Sequence, residues 1–239
     1  MAALDFIFPG TCRTCQQPIS DGKGVCDRCA GALRQIEAPF CQVCGIGFSG
    51  QGLKDFSCPN CLKETYDFAF ARGFLRGNTE AIHLAYLLKF QRDIELGRLL
   101  GRICAQLIEN DIRYRSELNE PVLVPVPLHW KRERGRHFNQ AYEIARVASR
   151  LTGLPLVEGL KRVLNTNPQS KLGRNQRLKN LQTAFQVQKK SHAALEGRHV
   201  IIIDDVLTTC ATVQACATTL RRGAEVKTIA VACPIRAGR

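Results

Sequence analysis

The segment VIIIDDVLTTCAT, Val200 to Thr212, runs four β-branched residues together, ends them on the adjacent carboxylates Asp204 and Asp205, and continues through small and hydroxyl side chains into a helical pattern. An unbroken apolar run of this length reads as a strand buried on both faces, because a strand with one wet face would alternate. Covering both faces takes helices on each side, so the segment calls for an α/β domain with a mostly parallel sheet. The neighbouring chain agrees. Upstream, PVLVPVP (121–127) is a second apolar strand, followed by a basic loop and a helix over Asn139–Leu151 closed by Gly153. Downstream, a helix over Thr212–Arg222 stopped by Gly223 leads to a strand over Val226–Ala232. Earlier, YDFAFARGFL (66–75) reads as a strand running into a turn. Thr79–Phe90 and Ile94–Ile108 follow as helices, the first with Ile82, Leu84, Ala85 and Leu88 on its apolar face, and polar 109–120 reads as loop.

In parallel sheets, ligands sit at the carboxyl ends of strands, where this segment places its carboxylates and loop. The loop suits a sugar phosphate. Free N–H groups at a helix N-terminus and the helix dipole favour phosphate, Thr208, Thr209 and Thr212 add hydroxyl donors, and the two carboxylates can accept from vicinal ribose hydroxyls. The plainer alternative is that Asp204 and Asp205 end a strand and cap a turn; the loop and helix attached to them favour the ligand site.

The first quarter of the chain is organised by cysteines. Eight of the twelve form four C-x-x-C pairs, Cys12/Cys15, Cys26/Cys29, Cys41/Cys44 and Cys58/Cys61, separated by ten, eleven and thirteen residues. With no export signal, metal is a better reading than disulfides. Two successive units, Cys12–Cys29 and Cys41–Cys61, each have the layout of a zinc ribbon, in which two tight turns supply four thiolates, so two structural Zn²⁺ sites are expected. Sequential pairing within each unit is the simpler topology; a cross-brace of first with third and second with fourth pairs has the same spacing. Residues 1–64 therefore read as a double zinc ribbon and 65–239 as the α/β domain, with 65–120 a helical lead-in and 121–239 the sheet. Cys104, Cys216 and Cys233 fall on apolar faces and read as buried small hydrophobes. The five histidines show no metal spacing.

VPVPLHWKRERGRHFNQA (124–141), NPQSKLGRNQRLKNLQTAF (167–185) and IIIDDVLTTCAT, together with the cysteine ribbons, resemble the ComF family of competence-associated proteins over nearly the whole chain. Val200–Thr212 itself resembles the phosphoribosyl-diphosphate signature of type I phosphoribosyltransferases: four apolar residues, two acidic ones and Thr-Thr-Gly-x-Thr. The resemblance implies a type I phosphoribosyltransferase-like, Rossmann-type sheet behind a double zinc ribbon. It also implies that Asp204 and Asp205 bind ribose hydroxyls, that Thr208, Thr209, Cys210, Ala211 and Thr212 line the 5′-phosphate loop, and that Arg132, Arg134 and Arg136 lie near pyrophosphate. Residues 169–180 would form a flap, and Mg²⁺ would be held chiefly by ligand oxygens. Cys210 departs from the signature glycine. Its Cβ narrows the cradle or forces a strained φ, which puts transfer chemistry in doubt, and its place at a helix N-terminus makes it a candidate reactive thiol beside the blander reading of a tolerated small residue.

The formal net charge is +13 over 239 residues, and residues 1–61 are balanced at five basic and five acidic side chains, so the excess lies beyond them. From Gly159 to Leu195 there is no acidic residue, and Lys171, Arg174, Arg177 and Lys179 fall within that stretch. Such a run is a solvated face or a polyanion surface; these four are the candidate contacts to single-stranded DNA. Trp130 and Phe138 flank the other basic run and are expected to pack on the sheet, with base stacking the alternative. The N-terminus MAALDFIFPG lacks a basic n-region and no apolar run approaches the ~20 residues that span a bilayer, so a cytoplasmic location is expected. Two functions follow from the resemblance. One is a DNA-uptake or DNA-use factor that grips single strands and docks on competence-machinery proteins; the other is an active phosphoribosyltransferase with an unknown acceptor.

Overall fold

The computed structural model describes residues 10–19, 24–48, 56–91, 93–130, 133–134, 138–164, 181 and 183–238. Its centre is a five-stranded sheet built from β3 (Phe70–Arg76), β4 (Val122–Pro125), β7 (Val200–Ile203), β8 (Val206–Leu207) and β9 (Ile229–Arg236). The order is β3-β9-β7-β4, with β8 also paired to β9 and every pairing parallel. Val200 to Ile203 are all buried, as the unbroken apolar run requires. Ile201 and Ile203 face one side, with Leu123, Ala230 and Ala232; Val200 and Ile202 face the other, with Val124 and Val231.

The first face is covered by α3 (Thr79–Gln91), α4 (Ile94–Asn110), α5 (Ile112–Glu117) and α6 (Gln140–Thr152). Asp93 starts α4 by accepting from the N–H groups of Glu95 and Leu96, and Asn139 starts α6 by accepting from Ala141 and Tyr142. Gly153 ends α6 in the left-handed conformation expected of a C-cap glycine. The helices α4 and α6 touch at Gly101, where a Cβ would sit 2.5 Å from that of Val147. The opposite face carries α8 (Ala211–Ala224), the short α7 (His192–Leu195) and a two-stranded ribbon of β5 (Leu160–Arg162) and β6 (Phe185–Val187).

Four expectations are corrected. Residues 109–120 are not all loop: Asp111 caps α5, and that short helix buries Tyr114, whose hydroxyl donates to the Val231 carbonyl at 2.7 Å. Gly223 does not stop α8; it lies inside the helix, where a Cβ would press on Val187, and the helix ends at Glu225 in the left-handed region. On α3, Ile82 faces solvent while Ala81, Leu84, Ala85, Leu87 and Leu88 are buried. The sheet is not confined to residues beyond 120, because β3 forms its edge.

That edge does not face water. The chain linking the two cysteine units lies antiparallel along β3, with the Ile36 N–H donating to Phe74 and the Arg76 N–H to the Arg34 carbonyl. The N-terminal region also contains β1 (Gly10–Thr11), β2 (Pro18–Ile19), α1 (Asp27–Ala32) and α2 (Pro59–Leu62), whose first turns carry the second cysteine pair of each unit. Among the described residues, no helix is long and apolar enough to cross a membrane.

Candidate functional site

The strand β7 ends between its neighbours β4 and β9, so Asp204 emerges at the carboxyl end of the middle of the sheet. From there the chain forms a small cup lined by Asp204 and by residues 206 to 213, closed by the first turn of α8. The cup brings together Asp204, Thr208, Thr209, Cys210, Ala211 and Thr212, and Thr208 and Thr209 are exposed. Donor hydroxyls and a helix N-terminus at one mouth, beside a carboxylate, are the groups that recognise a phosphate and a vicinal diol respectively.

The two carboxylates are not equivalent. Asp205 is buried and turned inward: its Oδ2 pairs with Lys89 Nζ at 2.9 Å and its Oδ1 accepts from the Val206 N–H at 2.8 Å. Asp204 lines the cup, and its Oδ1 accepts from the Asp205 N–H at 2.9 Å. Burial, and then the negative charge of Asp205, raise the Asp204 carboxyl to about 7, with Lys89 opposing. A carboxyl poised there can change charge near neutral pH.

Cys210 takes φ 62° and ψ 3°, the left-handed conformation that glycine adopts without strain. The cysteine has therefore kept the backbone shape, at a cost of about 1–2 kcal/mol for an L residue. Its side chain is buried within the apolar cluster beneath α8, which argues against the expectation of a reactive thiol, since reactive cysteines are partly exposed. Cys104, Cys216 and Cys233 are likewise buried, and burial raises the pKa of each.

Trp130 does not pack on the sheet. It is 51% exposed, with the Arg134 guanidinium 4.9 Å above its ring, at the rim of a cleft of about 440 Å³ that also includes Pro127, Phe138 and Gln188. Phe138 is partly buried against the core. Arg132, Arg136, the 169–180 flap and the DNA candidates Lys171, Arg174, Arg177 and Lys179 lie outside the described residues.

Two residues of the site went unanticipated. Lys89 arrives from α3 and faces Asp205. Arg236, the last residue of β9, is 5% exposed and runs beneath the loop, donating from one terminal nitrogen to the carbonyls of Leu207 and Thr208 at 3.2 and 2.7 Å.

The cysteines gather as Cys12, Cys15, Cys26 and Cys29 in one group and Cys41, Cys44, Cys58 and Cys61 in the other, so each unit pairs sequentially and the cross-brace is excluded. A tetrahedron with bonds of about 2.3 Å has edges of about 3.8 Å. The Cys15–Cys26 and Cys44–Cys58 sulfur separations are 3.7 and 3.8 Å, metal-site edges rather than disulfides. Left to themselves the four thiols of a group cannot all ionise. Against its burial, the N–H groups of Cys26, Cys15 and Thr14 draw Cys12 down to about 6, while burial and its neighbouring thiols push Cys29 up to about 12. In the second group, burial and then its hydrogen bond to Cys58 push Cys61 up to about 12. A dication among them would let all eight sulfurs bind as thiolates, and both donor sets fit structural Zn²⁺. Gly45 makes the Cys41–Cys44 knuckle possible: its φ is +68° and a Cβ there would lie 2.6 Å from the Ala71 carbonyl oxygen.

Known sequences match both parts. A family model described as double zinc ribbon domain matches residues 3–65, and one described as uracil phosphoribosyltransferase matches residues 94–239. The DNA utilization protein YhgH of Salmonella typhi is 29% identical over 219 residues, covering 90% of this chain and 92% of its own length. Competence protein F of Haemophilus influenzae is 30% identical over 201 residues, covering 81% and 84% respectively. For competence protein ComFC of Bacillus subtilis the identity is 28% over 198 residues, covering 79% and 74%. With both halves matched and relatives aligned along most of its length, the chain belongs to the ComF family of competence and DNA-utilization proteins, which joins a double zinc ribbon to a phosphoribosyltransferase-like domain.

Proposed function

We propose that this chain binds a 5-phosphorylated ribose, with phosphoribosyl diphosphate and Mg²⁺ the form to test first, and uses that site in handling single-stranded DNA during DNA uptake or use. One observation carries the proposal: a half-buried carboxylate, exposed threonine hydroxyls and a helix N-terminus share a single cup at the carboxyl end of β7. In this reading the hydroxyls of Thr208, Thr209 and Thr212 and the N–H groups opening α8 hold the 5′-phosphate. Asp204 accepts from a ribose hydroxyl, and Asp205 is held back by Lys89 as the charge that tunes it. Bound Mg²⁺ would neutralise the diphosphate oxygens, as it does in sites with few protein ligands. The DNA role draws on what the relatives' names say of them and on the acid-free basic stretch from Gly159 to Leu195. Zinc ribbons of near-balanced charge suit docking on competence-machinery proteins.

Transfer of the ribose phosphate to an acceptor is the second reading, and the left-handed backbone of Cys210 favours it, because the loop has the course that glycine would give. Calorimetric titration of phosphoribosyl diphosphate with Mg²⁺ into wild type, Asp204→Asn and Asp205→Asn separates these ideas. Binding that weakens sharply in Asp204→Asn is expected; no binding by wild type, or binding indifferent to both substitutions, removes the sugar-phosphate site. Single-strand affinity should fall with rising salt, with a logarithmic slope near −0.7 per phosphate neutralised. Arg174→Ala with Arg177→Ala should flatten that slope, and an interaction insensitive to both salt and these changes removes the DNA reading.

A further inference from the structure

Three consecutive carbonyls of the Cys41–Cys44 knuckle are taken up by the α/β domain. The Gln42 carbonyl accepts from Arg72 and Arg113, each at 3.0 Å, the Val43 carbonyl from the Ala71 N–H at 2.7 Å, and the Cys44 carbonyl from Arg236 Nε at 2.8 Å. Arg236 then reaches further on both sides. Its second terminal nitrogen lies 3.4 Å from Cys44 Sγ, and its first holds the carbonyls of Leu207, Thr208 and Ala237. Gly73 leaves room for it, since a Cβ there would sit 2.4 Å from that of Arg236. One guanidinium thus touches a metal-ligating sulfur and the start of the cup.

Among the described residues, no carboxylate lies within ion-pair distance of Arg236. A buried cation needs a compensating charge. Four thiolates around one Zn²⁺ carry a net charge of about −2, and Cys44 brings that charge to the guanidinium. On the other side, a trans peptide points its C=O and N–H in opposite directions. With the Leu207 and Thr208 carbonyls held against Arg236, the N–H groups of Thr208 and Thr209 point away from it.

We infer that Arg236 is a positioning residue that makes the second zinc ribbon and the sugar-phosphate loop one cooperative unit: metal held by Cys41, Cys44, Cys58 and Cys61 fixes the loop, and a ligand in the loop retains that metal. Reciprocity follows from linkage, because whatever the metal does for the loop's ligand, the ligand must do for the metal. The first cluster is the internal control. Its cation is Arg28, an exposed side chain on α1 between the ligands Cys26 and Cys29.

The functional meaning of this coupling rests on the sugar-phosphate reading, but its first test does not. Zinc is withdrawn from the zinc-loaded full-length protein with limiting chelator, and amide hydrogen exchange is followed in peptides covering 12–19, 41–47 and 206–213. Exchange in 206–213 should accelerate in step with 41–47 and independently of 12–19. Loop exchange that stays at the zinc-loaded rate after 41–47 has opened, or that follows 12–19, overturns the inference. Arg236→Met should speed zinc release from the second site about tenfold, in the range seen when second-shell partners are lost; Arg236→Lys, which keeps the charge without the fork, should restore slow release while leaving 206–213 fast. If Arg236→Met does not fold, the wild-type experiment decides alone. Phosphoribosyl diphosphate with Mg²⁺ should then slow release from the second site only. A loop that tracks the metal but ignores this ligand leaves the coupling standing and removes the ligand.

Discussion

Replacing Cys210 by glycine and, separately, by alanine isolates what the left-handed backbone costs. At φ 62° and ψ 3° an L residue forfeits about 1–2 kcal/mol relative to the right-handed form. Both substitutions remove the buried sulfur and leave a similar void beneath α8. Alanine keeps the Cβ and therefore the strain. Glycine sheds it, against roughly 0.5–1 kcal/mol for its greater freedom in the unfolded chain. The balance places glycine above alanine by about 0.5–1 kcal/mol, the reverse of their order at an ordinary helical position. In a domain of this size that is about 2 °C in the calorimetric midpoint. Alanine equal to or above glycine would falsify the claim of strain. The same pair reports on function: pyrophosphate release appearing in Cys210→Gly but not in Cys210→Ala would assign the block on transfer to the Cβ that cysteine and alanine share, whereas its appearance in both would assign it to the bulk of sulfur.

Four further outcomes are expected. Because Asp204 titrates near 7 through burial and the charge of Asp205, binding that needs its carboxylate should strengthen about tenfold between about pH 6 and about pH 8 and become flat in Asp204→Asn. In the unliganded protein a raised carboxyl pKa favours the fold at low pH. The stability it confers is lost as pH climbs from the unfolded value of 3.8 to about 7, so urea midpoints of Asp204→Asn should lack that decline. Lys89→Met strands Asp205; since Lys89 is 28% exposed at its side chain, the loss should be only about 1–2 kcal/mol, and the Asp204 midpoint read by NMR should move upward. Gly101→Ala forces α4 from α6 at Val147 and should cost about 1–3 kcal/mol in chemical denaturation; an unchanged midpoint would mean the helices slide apart freely.

What the sequence disclosed follows from the range of the forces involved. The strand β7, its two carboxylates and the loop after it are legible because every contact that shapes them is local: β-branched residues in a row, a polar stop, small residues before a helix. The cysteine groups are legible because a tetrahedral site fixes spacing. The short helix α5 is not, since its sequence IRYRSE buries only Tyr114 and its start depends on Asp111 as a cap. Gly223 misleads because glycine ends helices by conformation, yet here it is needed for closeness to Val187. Lys89 and Arg236 carry no local mark at all. The contact between Arg236 and Cys44 spans 192 residues and is decided by where two strands end, which no periodicity encodes.

The edge of the sheet explains why the ribbons and the cup belong to one body. The strand β3 would otherwise offer a row of unpaired N–H and C=O groups, a template for association with other chains. The linker between the cysteine units supplies partners at Phe74 and Arg76, and the Cys41–Cys44 knuckle supplies one at Ala71. Arg72, slightly more buried than Arg236, draws in part on the same source: it pairs with Asp111 at 2.9 Å and donates to the backbone and side chain of Gln42 in the knuckle. A detached ribbon would take acceptors from two buried guanidinium groups, the Gln42 oxygens from Arg72 and the Cys44 carbonyl and sulfur from Arg236, and would leave a strand edge open. The knuckle that the cysteines shape therefore also helps complete the sheet, and the carboxyl ends of that sheet are where Asp204 and Arg236 stand. Structural zinc and the candidate ligand site are joined by the physical need to satisfy buried polar groups.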